Sequence, residues 1–218
     1  MLPLLLAAAV SAPDVAPPPR AVDPFAKWEK SIAAIEKRLA AAPPRPGGVF
    51  FVGSSSIVMW DLNKSFPEAG YVNVGFGGSV IADSVHFAPR IVTPFKPGTI
   101  VFYAGDNDIG GGRKPEQVAA DFKAFVGAVR ADNPSCKVLF IAVKPSTARW
   151  KKFDEQKEAN ALVKAYCEKG TGLVYVDVVP LMLGADGAPA PELFLKDGLH
   201  MTPKGYELWT AAVGKALK

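Results

Sequence analysis

Short apolar runs alternate along this chain with longer stretches in which apolar side chains recur every three or four residues. The runs at 48–52, 71–74, 99–104, 137–143 and 173–177 are rich in Val, Ile, Phe, Tyr or Leu and are bounded by Gly, Pro or polar residues, so they predict strands. The helical spacing begins after Asp23-Pro24, an N-cap followed by proline in the first turn, with Phe25, Trp28, Ile32, Ile35 and Leu39 on one face. A second helix starts near Pro115 and carries Val118, Phe122, Phe125, Val126 and Val129. A third is predicted from about Trp150 to Lys169. The last opens at Thr202-Pro203 and presents Tyr206, Trp209, Val213 and Leu217. Strands alternating with helices predict an α/β chain with βαβ units and a mainly parallel sheet of five strands flanked by helices. Right-handed crossovers then gather the strand ends on one edge. No internal repeat and no second domain is visible.

Four loops after predicted strands carry small or polar residues. The first is Gly53-Ser54-Ser55-Ser56, directly after the run Gly48–Val52. The second is Asn73-Val-Gly75-Phe-Gly77-Gly78-Ser79, and the third is Gly105-Asp106-Asn107-Asp108. The fourth is Asp197-Gly-Leu-His200, just before the final helix. Each by itself reads as an ordinary turn or cap. Together they hold the parts that acyl transfer needs: a nucleophile, a base, an orienter for the base, and donors for an oxyanion. Ser55 is the candidate nucleophile, His200 the base that takes its proton, and Asp197 the acceptor that holds the imidazole tautomer. Gly78, lacking a Cβ, offers a backbone N–H to the oxyanion, and Asn107 offers a side-chain amide. His86, the only other histidine, has no acid in a comparable arrangement and reads as structural.

Composition narrows the alternatives. The 218 residues suffice for one domain with a sizeable core, and 49% hydrophobic with 21% charged residues are ordinary globular values. The net charge of +4 comes from scattered lysines, with no basic stripe interleaved with aromatics, so no nucleic-acid partner is expected. Gly75-Phe-Gly77-Gly78-Ser79-Val80 lacks the third glycine of a dinucleotide loop, and no phosphate-binding Gly-Lys-Ser/Thr signature is present. Asp106 and Asp108 do not open a calcium loop, because Gln117 stands where the bidentate Glu belongs. Two histidines and two cysteines, Cys136 and Cys167, do not make a zinc site, and no cofactor is expected. Whether the two cysteines pair is left open by the sequence. Residues 1–12 form a short apolar stretch ending in Val10-Ser11-Ala12, too short for a membrane span and similar to a secretory signal peptide, although the basic start of one is missing. Export to a secreted or periplasmic location is therefore expected, with the cytoplasm as the alternative. Residues 13–23 read as a proline-rich linker and 24–218 as the folded domain.

In this order and spacing, the four loops resemble the blocks of the SGNH hydrolases, also called GDSL-type esterases and lipases. The resemblance covers about residues 48–218 and implies a three-layer α/β/α sandwich of flavodoxin-like topology. Its serine nucleophile, which also lends its backbone N–H to the oxyanion, falls on Ser55. Its oxyanion glycine falls on Gly78, its asparagine on Asn107, and its Asp-x-x-His block on Asp197 and His200. One position departs: Ser54 stands where the family usually has Asp, which leaves Ser54 and Ser56 as alternative nucleophiles. The resemblance implies a serine esterase acting on carboxylic esters of short acyl or acetyl groups, with a small-molecule or saccharide ester as partner. Lysophospholipid or thioester hydrolysis, or a non-catalytic carbohydrate- or ester-binding protein on the same fold, are the other readings.

Overall fold

The structure, a computed structural model, describes residues 23–218. The signal-peptide and linker readings on residues 1–22 lie outside the described residues. The chain runs α1 (Glu29–Ala41), β1 (Val49–Gly53), α2 (Ser55–Val58), α3 (Leu62–Ser65), β2 (Val72–Asn73), α4 (Ile81–Ile91), β3 (Thr99–Tyr103) and α5 (Asp106–Gly110). It continues through α6 (Pro115–Arg130), β4 (Lys137–Ile141), α7 (Phe153–Lys169), β5 (Leu173–Val176), α8 (Val179–Met182) and α9 (Pro203–Leu217). All five strands pair in parallel in the order β2-β1-β3-β4-β5. Among the described residues, no helix is long and apolar enough to cross a membrane.

The strands are buried on both faces, so successive side chains feed two different cores. Phe50, Ile100, Phe102, Val138 and Phe140 point to one face, where α1, α4, α6 and α7 cover them. Phe51, Val101, Tyr103, Leu139 and Ile141 point to the other, which α9 covers together with the short α2, α3 and α8. Trp209 of α9 is fully buried there, its ring 4.7 Å from that of Tyr103 and 5.6 Å from that of Trp60. The split follows from strand order. The chain steps outward from β1 to β2, then returns across β1 to β3, and a right-handed crossover changes face when the direction reverses.

Two helix starts differ from expectation. Asp23 accepts from the N–H of Phe25 and caps a 3₁₀ turn, so α1 begins only at Glu29. Residues 147–152 form a 3₁₀ segment that Arg149 (φ −120°, ψ 21°) bends, so α7 begins at Phe153 rather than at Trp150. The predicted apolar faces of α6 and α9 are otherwise the ones buried. Cys136 and Cys167 are separate buried thiols, each pushed up to about 11 by desolvation.

Two features at the carboxyl edge of the sheet lead to measurable consequences. Gly53 has φ +139°, and a Cβ built there would lie 1.9 Å from the Tyr103 carbonyl oxygen. Gly53→Ala should therefore cost roughly 3 kcal/mol or more through overpacking and backbone strain, read by chemical denaturation. A loss near zero would show that β1 and β3 separate easily. Asp108, fully buried in α5, accepts from the Ile81 N–H at the start of α4 with both oxygens (3.2 and 3.3 Å). Burial raises its carboxyl to about 6, against the opposing pull of that N–H and of Arg113. Since the folded value lies above the unfolded one, the contribution of Asp108 is fully present below about pH 4 and declines as pH rises to about 6. Asp108→Asn, which keeps the acceptor, should gain stability relative to the native chain across that window and not above it. Parallel pH curves for the two proteins would refute the assignment.

Candidate active site

β1 ends on Gly53, whose unusual φ turns the chain sharply. Ser54 follows in extended conformation, its N–H donating to the Tyr103 carbonyl at 3.0 Å. Ser55 is then the first residue of α2, half-buried at the edge where open α/β sheets place their ligands. The Tyr206 hydroxyl of α9 donates to the Ser56 carbonyl (2.9 Å) and fixes the turn from behind. Ser54 and Ser56 are each 3% exposed, and neither approaches the imidazole.

His200 closes a loop pinned by the Leu195 N–H on its carbonyl and by an antiparallel bridge between Phe194 and Met201. Its Nε2 lies 3.0 Å from Ser55 Oγ, and its Nδ1 lies 2.6 Å from Asp197 Oδ2. The other oxygen of Asp197 accepts from the N–H groups of Leu199 and His200, both at 2.9 Å. Hydrogen bonds from the imidazole and from these two amides hold the Asp197 carboxyl down at about 2. A carboxylate only accepts, so Nδ1 carries the proton and Nε2 is free to accept from the Ser55 hydroxyl. The three residues named from the sequence therefore meet in one chain of hydrogen bonds.

The glycine loop reaches the same edge because it prolongs β2 along β1. Val74 N–H donates to Phe51, and Phe76 N–H donates to Gly53. Gly77 then lies against Ser55, and Gly78 follows at φ +80°. Asn73 braces this loop on α2: its amide donates to the Ile57 carbonyl, and its oxygen accepts from the Gly75 N–H. Among the described residues, the backbone N–H groups of Ser55 and Gly78 have no acceptor. The first is an ordinary free donor of a helix start, and both remain available to a ligand.

Asn107 sits in α5, one turn after β3. One amide N–H donates to the Ser79 carbonyl at 2.9 Å, which ties α5 to the glycine loop. Its oxygen accepts from Arg149 at 2.9 Å. One amide hydrogen remains for a ligand, so Asn107 is partly committed to shaping the loop. Behind it lies a buried charge cluster that sequence reasoning did not single out. The fully buried Lys144 lies 3.1 Å from Asp106, Arg149 lies 2.7 Å from it, and Gln156 donates to it at 3.1 Å. Burial pushes the Asp106 carboxyl up, but the two cations outweigh it and hold it below the usual range. The available signal was a lysine placed immediately after the buried run of β4, a position where a charge needs a partner. His86 stands apart from all of this on α4, its ring stacked on Phe25 at 3.7 Å.

A cavity of about 670 Å³ opens beside α9, its lining including Met59, Met201, Pro203 and Tyr206 together with the polar Asp61, Lys64 and Glu207. Met59 lies one turn beyond Ser55, and Met201 follows His200. Among the described residues, no cluster of three or more His, Cys, Asp or Glu side chains could hold a metal ion.

Comparison with known proteins bears on the fold and on the family. No curated protein matches the sequence. A candidate platelet activating factor from Streptococcus pneumonia is similar in structure, with TM-score 0.79 and 18% identity over 88% of this chain and 92% of that one. A GDSL-like lipase from Bacteroides thetaiotaomicron has TM-score 0.70 and 23% identity over 84% and 96% of the two chains. An acetyl-xylooligosaccharide esterase from Geobacillus Stearmophilus has TM-score 0.62 and 15% identity over 78% and 94%. These likenesses establish the fold. The model of the GDSL-like Lipase/Acylhydrolase family matches residues 53–208, from the Ser55 turn into α9, and on that match the chain belongs to the GDSL-like lipase/acylhydrolase family of ester hydrolases.

Proposed function

We propose that the chain is a serine esterase that hydrolyses carboxylic esters of short acyl groups through an acyl-enzyme on Ser55. The observation that carries this reading is the relay Ser55–His200–Asp197, with its 3.0 and 2.6 Å contacts. His200 Nε2 takes the Ser55 hydroxyl proton as Oγ attacks the ester carbon. Asp197 stabilises the imidazolium that forms and stays ionised, since its carboxyl is held at about 2. The negative oxygen of the tetrahedral intermediate turns toward the N–H groups of Ser55 and Gly78 and the free amide hydrogen of Asn107. His200 then returns the proton to the leaving alcohol, and water repeats the sequence to release the acid.

Acetylated saccharides are the substrates we favour. The acetyl-xylooligosaccharide esterase of the same fold suggests them, and the polar part of the lining of the 670 Å³ cavity (Asp61, Lys64, Glu207) suits a hydroxylated alcohol. A series of p-nitrophenyl esters of increasing acyl length, run beside acetylated xylo-oligosaccharides, tests this. Activity should be highest on the shortest acyl chains and fall as they lengthen. A peak at long chains would assign the cavity to lipid instead.

Ser55→Ala should leave the fold intact and lower kcat by about three powers of ten or more, the loss typical of a missing triad member. A fluorophosphonate should label the native protein at Ser55, and a label on Ser54 or Ser56 would overturn the assignment. Because Asp197 is held at about 2, it contributes nothing to an acid limb of kcat/KM near neutrality. His200→Ala should abolish this limb, and replacement of His86 should leave it in place. Asn107→Ala should lower kcat about 100- to 1,000-fold with little change in KM, the usual cost of one oxyanion donor. A destabilised variant with near-normal kcat would instead assign Asn107 wholly to its bond with Ser79.

A further inference from the structure

We propose that Arg149 is a positioning residue of the oxyanion hole, acting through Asn107 and held in place by the buried carboxylate of Asp106. This inference rests on the esterase reading above.

The argument begins with the Asn107 amide. An amide has two nearly isosteric ends, and only its partners decide which end donates. Arg149 only donates, so the group facing it at 2.9 Å must be the Asn107 oxygen. The Ser79 carbonyl only accepts, so the group facing it must be the nitrogen. With both ends fixed, the remaining N–H has one direction left. Remove the guanidinium, and the oxygen loses the one side-chain partner it has among the described residues. A charged donor on the oxygen also polarises the amide and strengthens its other hydrogen as a donor.

The surroundings are built for this task. Arg149 sits where the 147–152 segment departs from helical geometry, which turns its side chain inward, and that side chain is 21% exposed. Asp106 pairs with it at 2.7 Å and also binds Lys144 and Gln156. Two cations against one carboxylate leave the Asp106 cluster itself with one net positive charge, directly behind Asn107. Fixed charge of this kind stabilises a transition state without reorganising. Gly110 supplies the space: a Cβ there would lie 2.7 Å from Arg149 Nε and 2.9 Å from Cζ. The same segment holds the base loop, since the Ala148 N–H donates to the Gly198 carbonyl at 3.0 Å. One short strap therefore touches both the donor and the base side of the site.

The test is a double-mutant cycle on p-nitrophenyl acetate. Arg149→Met should lower kcat about 10- to 100-fold with KM within about twofold, as expected for a partial loss of one oxyanion donor. In the Asn107→Ala background the same change should cost less than about threefold, because the residue it acts through is gone. Arg149→Lys, which keeps the charge but not the fork, should recover part of the loss. Gly110→Ala is the second route, since Gly110 has no positive φ and the three atoms nearest an added Cβ all belong to the guanidinium; it should reproduce the kcat loss with an unchanged melting temperature. Affinity for phenylboronic acid, which forms a tetrahedral adduct on the serine, should fall in parallel with kcat. Equal losses in both backgrounds, a change confined to KM, or full activity in both Arg149→Met and Gly110→Ala would overturn the inference and leave the esterase reading intact. A native chain that turns over no ester and takes up no fluorophosphonate would overturn both.

Discussion

The Cα of Gly53 rests against the Tyr103 carbonyl, at the point where β1 and β3 end side by side. The N–H of Ser54 donates to that same carbonyl, and the Gly53 carbonyl receives Phe76 from the glycine loop. Three chain segments are thus tied at one spot, and each delivers a different part of the site. Sheet order makes the spot special, because β1 and β3 are where the winding reverses and a crevice is left between helices. A side chain at residue 53 would wedge the two strands apart and displace the nucleophile turn from the Asn107 loop together.

Most of this was legible in the sequence, and the reason is local. A strand buried on both faces is a continuous apolar run, and a helix on one face is a 3.6-residue stripe. The five strands and the faces of α6 and α9 could be read directly from those two patterns. The Ser55, Asp197 and His200 side chains were named because each follows a strand or opens a helix in a recognisable turn. What escaped is non-local. Asp106 looked like one member of an acidic turn, Lys144 passed among the scattered lysines, and Arg149 was not singled out. Only the register of β3 beside β4 brings their loops together. The divided duty of Asn107 escaped for the same reason, since both of its partners come from distant segments. The late start of α7 escaped because no glycine or proline marks it; the bend is imposed where Arg149 turns inward.

The two central aspartates show how surroundings sort identical side chains. Asp197 is about half exposed, and its bonds to an imidazole and two amides keep it ionised. Asp106 is sealed in, and its charge is sustained only because two cations share it. Sealing in a lysine is costly, and its attraction to one carboxylate roughly offsets that cost. The cluster therefore contributes little net stability. What it gives the site is fixed geometry, at the position where a soft loop would blur the direction of a single N–H.

The covering of the sheet by α9 carries a consequence for how this protein comes into being. Ser55 lies 145 residues before His200, and the helix that seals Tyr103, Leu139 and Phe51 comes after both. On the ribosome, all five strands emerge while one entire face of the sheet still lacks its main helix. That nascent intermediate exposes a broad aromatic surface, the kind that chaperones hold. In it the turn that carries Ser55 lacks its brace from Tyr206. Residues 203–217 shield the sheet and brace the serine turn in one step, so the Ser55 turn becomes fixed only as that aromatic surface is covered.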